Sequence, residues 1–348
     1  MKKNQKQNQL PLRGAIIGFG NVAIYGHLPI WQKDDRFRID AILEPEPERA
    51  NLARNLLPES HVYSDLESLL AEERLDFVDI CTPPCFHADL ILKALRAGLH
   101  VFCEKPLVTS FESLREIYQA ASDVGRVVFS VNNWKYAPQW MKTIELVHIK
   151  GIGRVRSVSL TVLRPPGSGG GVSNWRRCVQ VAGGGILLDH GWHQLYLLLS
   201  TIGESPLAVT ASLEYAQGTE HQLDEIVDLV ILFPTGEARL RLNGRASCRR
   251  NEGLIIGDKG TLFINDDHIL EKQGSKMVRY DFPEPLSGGS HHPEWMRPVT
   301  EDFLHEVLDL KAPRANLMEA MWCAQLIHLA YQSHLEGSRF IPVENFTV

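Results

Sequence analysis

Residues 183–196 read GGGILLDHGWHQLY and place Asp189 four residues before His193. On a helix that spacing puts both side chains on one face. A carboxylate beside an imidazole can fix the ring's tautomer and raise its basicity, which suits a general base for an alcohol proton. Solvated helix faces carry the same pair with no chemistry, so the rest of the chain must decide between the two readings. Gly183, Gly184 and Gly185 lead into the pair and allow backbone to approach a bound molecule closely.

A second constellation is GFGNVA at 18–23. Gly18 permits a tight turn, Gly20 lets backbone approach a pyrophosphate, and Ala23 is the small residue that helix–sheet packing requires. With Phe19, Asn21 and Val22 these residues form a candidate dinucleotide cradle, its phosphates on the free N–H groups of a helix start. Taken alone the turn is also a plain strand-to-helix connection. Glu44 adds the missing acid: it ends the second strand at about the spacing, roughly 20 residues, of the carboxylate that holds a ribose 2′-hydroxyl. Such a carboxylate repels a 2′-phosphate, so the expected cofactor is NAD rather than NADP.

These groups need elements to hold them. Up to residue 133 short apolar runs alternate with helical patterns: GAIIG (14–18), RIDAILE (38–44), LDFVDICTP (75–83), HVFCEKP (100–106) and RVVFSVNN (126–133) read as strands. The segment after GFG reads as a helix that Pro29 bends or ends. Beyond 150 strand-like runs follow one another with little helix between them, which predicts a largely antiparallel sheet. ILLDHGWHQLYLLLSTIG precedes most of them as a helix, and a helical stretch over roughly 299–336 closes the chain. Glycine clusters at 167–171 and 287–289 read as loops. The expected fold is α/β: a disordered tail at 1–11, a doubly wound Rossmann domain at 12–133, and a substrate-binding and oligomerisation α+β domain at 134–348.

Composition bounds the function. The 348 residues are 44% hydrophobic and 22% charged, an ordinary globular balance. A net charge of −6 supplies no basic field for nucleic acid. No apolar run approaches the roughly 20 residues of a spanning helix, and the basic N-terminus lacks the apolar core of a secretory signal. The six cysteines form no paired zinc spacing, and Cys81 and Cys103 fall in apolar runs where reduced core cysteine is expected. A cytoplasmic enzyme without a metal is the expectation. His291 and His292, in a Gly/Ser loop, read as surface residues.

The stretch CTPPCFHADLILKALRAGLHVFCEKPL (81–107), with GFGNVA, CEKP (103–106), KYAP (135–138), GGGILLDHGWH and GGSHHPEW (288–295) in that order, resembles the glucose–fructose oxidoreductase / inositol dehydrogenase / rhizopine-catabolism (Gfo/Idh/MocA) family. The resemblance runs from about residue 12 to the C-terminus. It implies a nicotinamide enzyme acting on a sugar, polyol or derivative, and a cis peptide between Lys105 and Pro106. It extends the cofactor set to Thr82, Pro83, His87, Glu104 and Lys105. The family's Asp-x-x-x-His falls on Asp189 and His193, which it makes catalytic together with Lys105. In that chemistry His193 is the base, Asp189 a substrate ligand or orienter of His193, and Lys105 the cation for a developing alkoxide.

Two departures stand out. Tyr196 occupies a position where many relatives carry an acid, three residues after the histidine. Lys135 stands where some inositol-acting relatives carry arginine, which argues against inositol itself and makes Lys135 a substrate-binding candidate. Trp175 and Arg176, with Arg177 beside them, either line the substrate site, an indole against a sugar face and an arginine on a hydroxyl or carboxylate, or form a structural loop. Three functions follow: an NAD-dependent sugar or polyol dehydrogenase, a redox-neutral enzyme that retains NAD and eliminates through a transient keto sugar, and a non-catalytic NAD-binding regulator. An antiparallel sheet covered on one face only predicts a homodimer or homotetramer.

Overall fold

The structure, a computed structural model, describes residues 10–149, 151–166, 175–216, 223–309 and 314–346. The tail reading lies outside these residues except at Leu10 and Pro11, and the glycine cluster at 167–171 lies outside them entirely. Two compact units emerge: one of residues up to 108 with 112–133 and 290–318, the other of 109–111, 134–289 and the chain from 319 onward.

The first unit holds six parallel strands: β1 (Leu12–Ile17), β2 (Phe37–Leu43), β3 (His61–Tyr63), β4 (Phe77–Ile80), β5 (His100–Cys103) and β6 (Val128–Ser130). Their spatial order is β3-β2-β1-β4-β5-β6, the doubly wound arrangement the sequence rhythm predicts. Both faces are covered, so β4 (FVDI) and β5 (HVFC) are buried at every position. One cover comes from far along the chain. The helix Met296–Leu308 sets Phe303 against the rings of Phe37, Phe77, Phe102 and Phe129 at centroid distances of 5.2 to 6.3 Å. The strand β3 and the helix Leu66–Glu72 after it, which Asp65 caps through the Ser68 N–H, are too short and polar to stand out in the sequence.

The helix after β1 does not end at Pro29. It runs on to Trp31 by passing through a wide π turn at Ala23–His27, in which the Leu28 N–H reaches back to the Ala23 carbonyl. Pro29 then falls within the first turn of the following segment, where a missing N–H costs little.

The second unit carries a nine-stranded sheet: β7 (Val155–Leu163), β8 (Ala208–Tyr215), β9 (Asp224–Leu232), β10 (Glu237–Asn243), β11 (Arg250–Gly257), β12 (Thr261–Ile264), β13 (His268–Gln273), β14 (Lys276–Asp281) and β15 (Ile341–Pro342). The order is β14-β13-β12-β11-β7-β10-β9-β8-β15, antiparallel throughout except between β7 and β10. Alternating burial along β8, β9 and β10 shows one packed face per strand.

The closing stretch is corrected from one helix to two, Met296–Leu308 and Ala315–Leu335. Asp309 leaves the helical backbone, and the proline that follows at 313 lacks the N–H a continuous helix needs.

Candidate active site

In the first unit, Gly18 sits at φ 86°, a left-handed backbone that favours glycine, and a Cβ there would lie 2.9 Å from Thr82 Cγ2. Glu44 is buried at the end of β2. One carboxylate oxygen accepts the Phe19 N–H at 2.7 Å, and the other accepts the Glu46 N–H at 2.9 Å. The acid is thus locked against the glycine turn, with further lone pairs for ribose hydroxyls. Thr82 Oγ1 is buried beside the same turn and meets no hydrogen-bonding atom among the described residues, a polar group left for a ligand. A left-handed glycine, a fixed carboxylate and an orphaned hydroxyl together fit a dinucleotide.

His87 opens the helix His87–Arg96 and is fully enclosed. Its ring nitrogens lie 2.8 Å from the Thr82 carbonyl oxygen and 2.9 Å from that of Pro106, so it ties the turn after β4 to the turn after β5. Burial lowers its affinity for a proton. Lys105 is half-buried after β5, and the Lys105–Pro106 peptide is cis, as the resemblance implies.

Glu104 turns inward to a network that sequence reasoning missed. His27 Nε2 lies 2.9 Å from Glu104 Oε1, and His27 Nδ1 lies 3.0 Å from each Asp79 oxygen. The Trp31 indole N–H donates to Asp79 Oδ2 at 2.7 Å. The second Glu104 oxygen accepts the Lys105 main-chain N–H at 3.1 Å. One signal was available: Asp79 is the single charge in the fully buried strand FVDI, and a buried carboxylate demands partners.

In the second unit, the π turn Leu187–Gly191 passes into the helix Trp192–Ile202, which Gly203 ends at φ 70°. Its start is held by Asp224, the first residue of β9. This carboxylate accepts the N–H groups of Gly185 (2.8 Å) and Leu187 (2.7 Å) and the Tyr331 hydroxyl (2.7 Å). A Cβ at Gly185 would lie 2.1 Å from the Asp224 carbonyl oxygen, so this glycine is required by contact with β9. Burial pushes the Asp224 pKa up against the pull of its three donors.

The helix carries Asp189 and His193 with different partners. His193 is buried, stacks on Trp134 at 5.1 Å, and sets Nδ1 2.7 Å from the Tyr196 hydroxyl. Asp189 stays about one-third exposed, with Arg176 Nε 3.6 Å from its Oδ2. Arg176 also lies over the Trp175 ring at 4.4 Å, so Trp175, Arg176 and Asp189 form one group. Lys135 pairs with Glu319 at 2.6 Å. Trp134, Tyr196 and His193 gather on one side of the helix, with the Trp134 N–H donating to the Tyr196 hydroxyl at 3.1 Å.

Comparison with known proteins agrees with this architecture. The model of the GFO/IDH/MocA oxidoreductase family, NAD-binding Rossmann fold, matches residues 12–132, and that of the GFO/IDH/MocA C-terminal domain matches 140–263. The chain is 30% identical to D-glucoside 3-dehydrogenase of Escherichia coli, over 94% of this chain and 97% of that one. It spans only 61% and 63% of the length of two uncharacterized fungal relatives, from Saccharomyces cerevisiae and Schizosaccharomyces pombe, at 31% and 27% identity over 60% and 67% of this chain. Levoglucosan dehydrogenase in complex with NADH and levoglucosan shares the fold at a TM-score of 0.82, with 22% identity over 96% of this chain and 100% of that one. A 3-ketoreductase from Actinomadura kijaniata in complex with NADP and TDP-benzene does so at 0.78, with 21% identity over 92% and 97%. The chain belongs to the GFO/IDH/MocA family of oxidoreductases and carries the family's NAD-binding Rossmann fold at residues 12–132.

Proposed function

We propose that this protein is an NAD-dependent dehydrogenase acting on a ring CH–OH group of a sugar, polyol or related cyclic alcohol. The observation that carries the reading is the buried His193 with Nδ1 on the Tyr196 hydroxyl, one helical turn from Asp189. When Nδ1–H donates to Tyr196, the lone pair of the ring is on Nε2, the arrangement a general base uses. Asp189 and Arg176 present an ion pair that can recognise hydroxyls, and the Trp175 face beneath Arg176 suits the apolar face of a sugar ring. Lys105 is assigned the cation that stabilises a developing alkoxide. Bound nicotinamide supplies the hydride acceptor.

NAD is favoured over NADP by the locked Glu44 carboxylate. We assign the dinucleotide to residues 12–133 and the substrate and subunit contacts to 134–348. Ile256, Phe263 and Met277 remain exposed on β11, β12 and β14, which supports assembly into a dimer or tetramer through that sheet. Light scattering at micromolar concentration tests the assembly, and a monomer rejects it.

The relation to D-glucoside 3-dehydrogenase over nearly the whole of both chains makes hexopyranosides the first substrates to try. The test is a panel of glycosides, free sugars and polyols with NAD⁺, read at the NADH absorbance and by product analysis. NADH formation with a keto product supports a dehydrogenase. Product formation without NADH accumulation replaces this reading with the redox-neutral one.

A further inference from the structure

The network of His27, Asp79 and Glu104 lies outside the residues given catalytic roles, yet it ends on the backbone of Lys105. Asp79, on β4, and Cys81, just beyond it, face Nδ1. Glu104, just beyond β5, faces Nε2, and Phe102 packs edge-on at 5.6 Å. His27 is 1% exposed and Asp79 is fully buried. A carboxylate accepts hydrogen bonds and a neutral imidazole has only one N–H. With a carboxylate at each ring nitrogen, the geometry favours protonation of both. Burial alone would favour the neutral ring, but the charge of Asp79, with Cys81, outweighs it and holds the His27 pKa well above the usual value.

His27, Asp79 and Cys81 place one ligand atom each close enough together for a metal ion. The Trp31 N–H donates to Asp79 Oδ2, however, and a donor in that place marks a hydrogen-bond network rather than a cation cage.

We infer that His27 is a positioning residue for Lys105: as a buried imidazolium it bridges Asp79 and Glu104, and so fixes the carboxylate whose other oxygen holds the Lys105 main chain. The inference rests on the reading of Lys105 as the cation of the site. The π turn at Ala23–His27 fits this role, because such wide turns are frequent where a side chain must be re-aimed at a functional site. Glu104 stays ionised there: burial opposes its charge, while the His27 bond and charge, with that of Lys105, more than offset the burial. The lysine is thereby presented by a turn tied to the sheet through its own neighbour's side chain.

Two measurements test this without a substrate. In the full-length protein labelled with ¹⁵N-histidine, at about pH 8, ¹H–¹⁵N correlations should show both His27 ring nitrogens protonated, the signal being assigned by its loss in His27→Gln. A bare nitrogen in the signal so assigned overturns the inference, and Asp79→Asn carries the test below should His27→Gln fail to fold. In trace labelling with acetic anhydride, read by peptide mass spectrometry, Lys105 reactivity should change at least threefold in His27→Gln and in Asp79→Asn, against the exposed Lys33 as reference. Unchanged Lys105 reactivity in a folded variant also overturns it. On turnover, His27→Gln should lower kcat at least tenfold with NAD⁺ affinity kept within about threefold, and should add little in a Lys105→Ala background. Full turnover by Lys105→Ala would instead reject the dehydrogenase roles, leaving the network itself to the two substrate-free measurements.

Discussion

His193 Nδ1 and the Tyr196 hydroxyl lie 2.7 Å apart on one turn of the helix, and the same hydroxyl accepts the Trp134 main-chain N–H at 3.1 Å. A phenol oxygen has two acceptor sites, so it can receive both N–H groups at once. It thus orients the imidazole as a carboxylate would, but without a negative charge to stabilise the imidazolium. An acid at this position, three residues after the histidine, would make His193 the stronger base.

Tyr196→Phe is therefore expected to act on chemistry and on stability together. It removes the orienting oxygen from His193 and the acceptor of the Trp134 main-chain N–H bond, at a cost of about 1–3 kcal/mol. Thermal unfolding should show the loss, and kcat should fall about tenfold or more on the substrate the panel identifies. A variant with wild-type kcat and a lowered melting temperature would make Tyr196 purely structural.

In the proposed reading cofactor choice depends on Glu44, whose two oxygens are engaged by the Phe19 and Glu46 N–H groups and so are held against the glycine turn. NAD⁺ should bind at least tenfold more tightly than NADP⁺, about 1.4 kcal/mol. Glu44→Gln should narrow that ratio by removing the charge while keeping the shape. Calorimetric titration of both nucleotides decides it, and equal wild-type affinities would remove Glu44 from its role.

The His27 network also predicts a pH dependence of folding. The folded-state pKa of His27 is raised well above 6.5, so the folded chain keeps a proton that the unfolded chain releases near that value. The resulting stability is fully present below about pH 6.5 and is lost as pH rises through the folded-state pKa. Urea unfolding of wild type and His27→Gln at several pH values from 6 to 10 should show the gap between them closing at high pH. A gap that widens with pH would contradict the sign of this linkage.

How far the sequence reveals such features depends on periodicity. The glycine turn, Glu44 and the run of buried strands are visible because glycine and unbroken apolar segments have few other uses. The Asp189–His193 spacing is equally plain. The Asp189–Arg176 pair is less so, because it depends on where the short turn Trp175–Arg177 and the π turn Leu187–Gly191 place side chains. His27 sits in a stretch that reads as an ordinary helix, and only the π turn aims it at Asp79. Phe303 is hidden for a different reason: its partners on the parallel sheet lie more than 170 residues earlier in the chain.

The sharpest expectation concerns the assigned catalytic groups, since each acts on the transition state more than on cofactor binding. Removal of a general base typically costs 10²–10⁴ in rate, roughly 3–5 kcal/mol of barrier. His193→Ala should lose turnover on that scale and keep near-normal NAD⁺ affinity. Lys105→Ala should also lose turnover, with a larger effect on cofactor affinity, because Lys105 follows Glu104 at the end of β5, on the dinucleotide-binding sheet. Asp189→Asn keeps the shape but weakens the attraction to Arg176, so KM should rise more than stability falls. Wild-type turnover by His193→Ala on the true substrate would reduce the Asp189–His193 pair to a helix face with no chemistry.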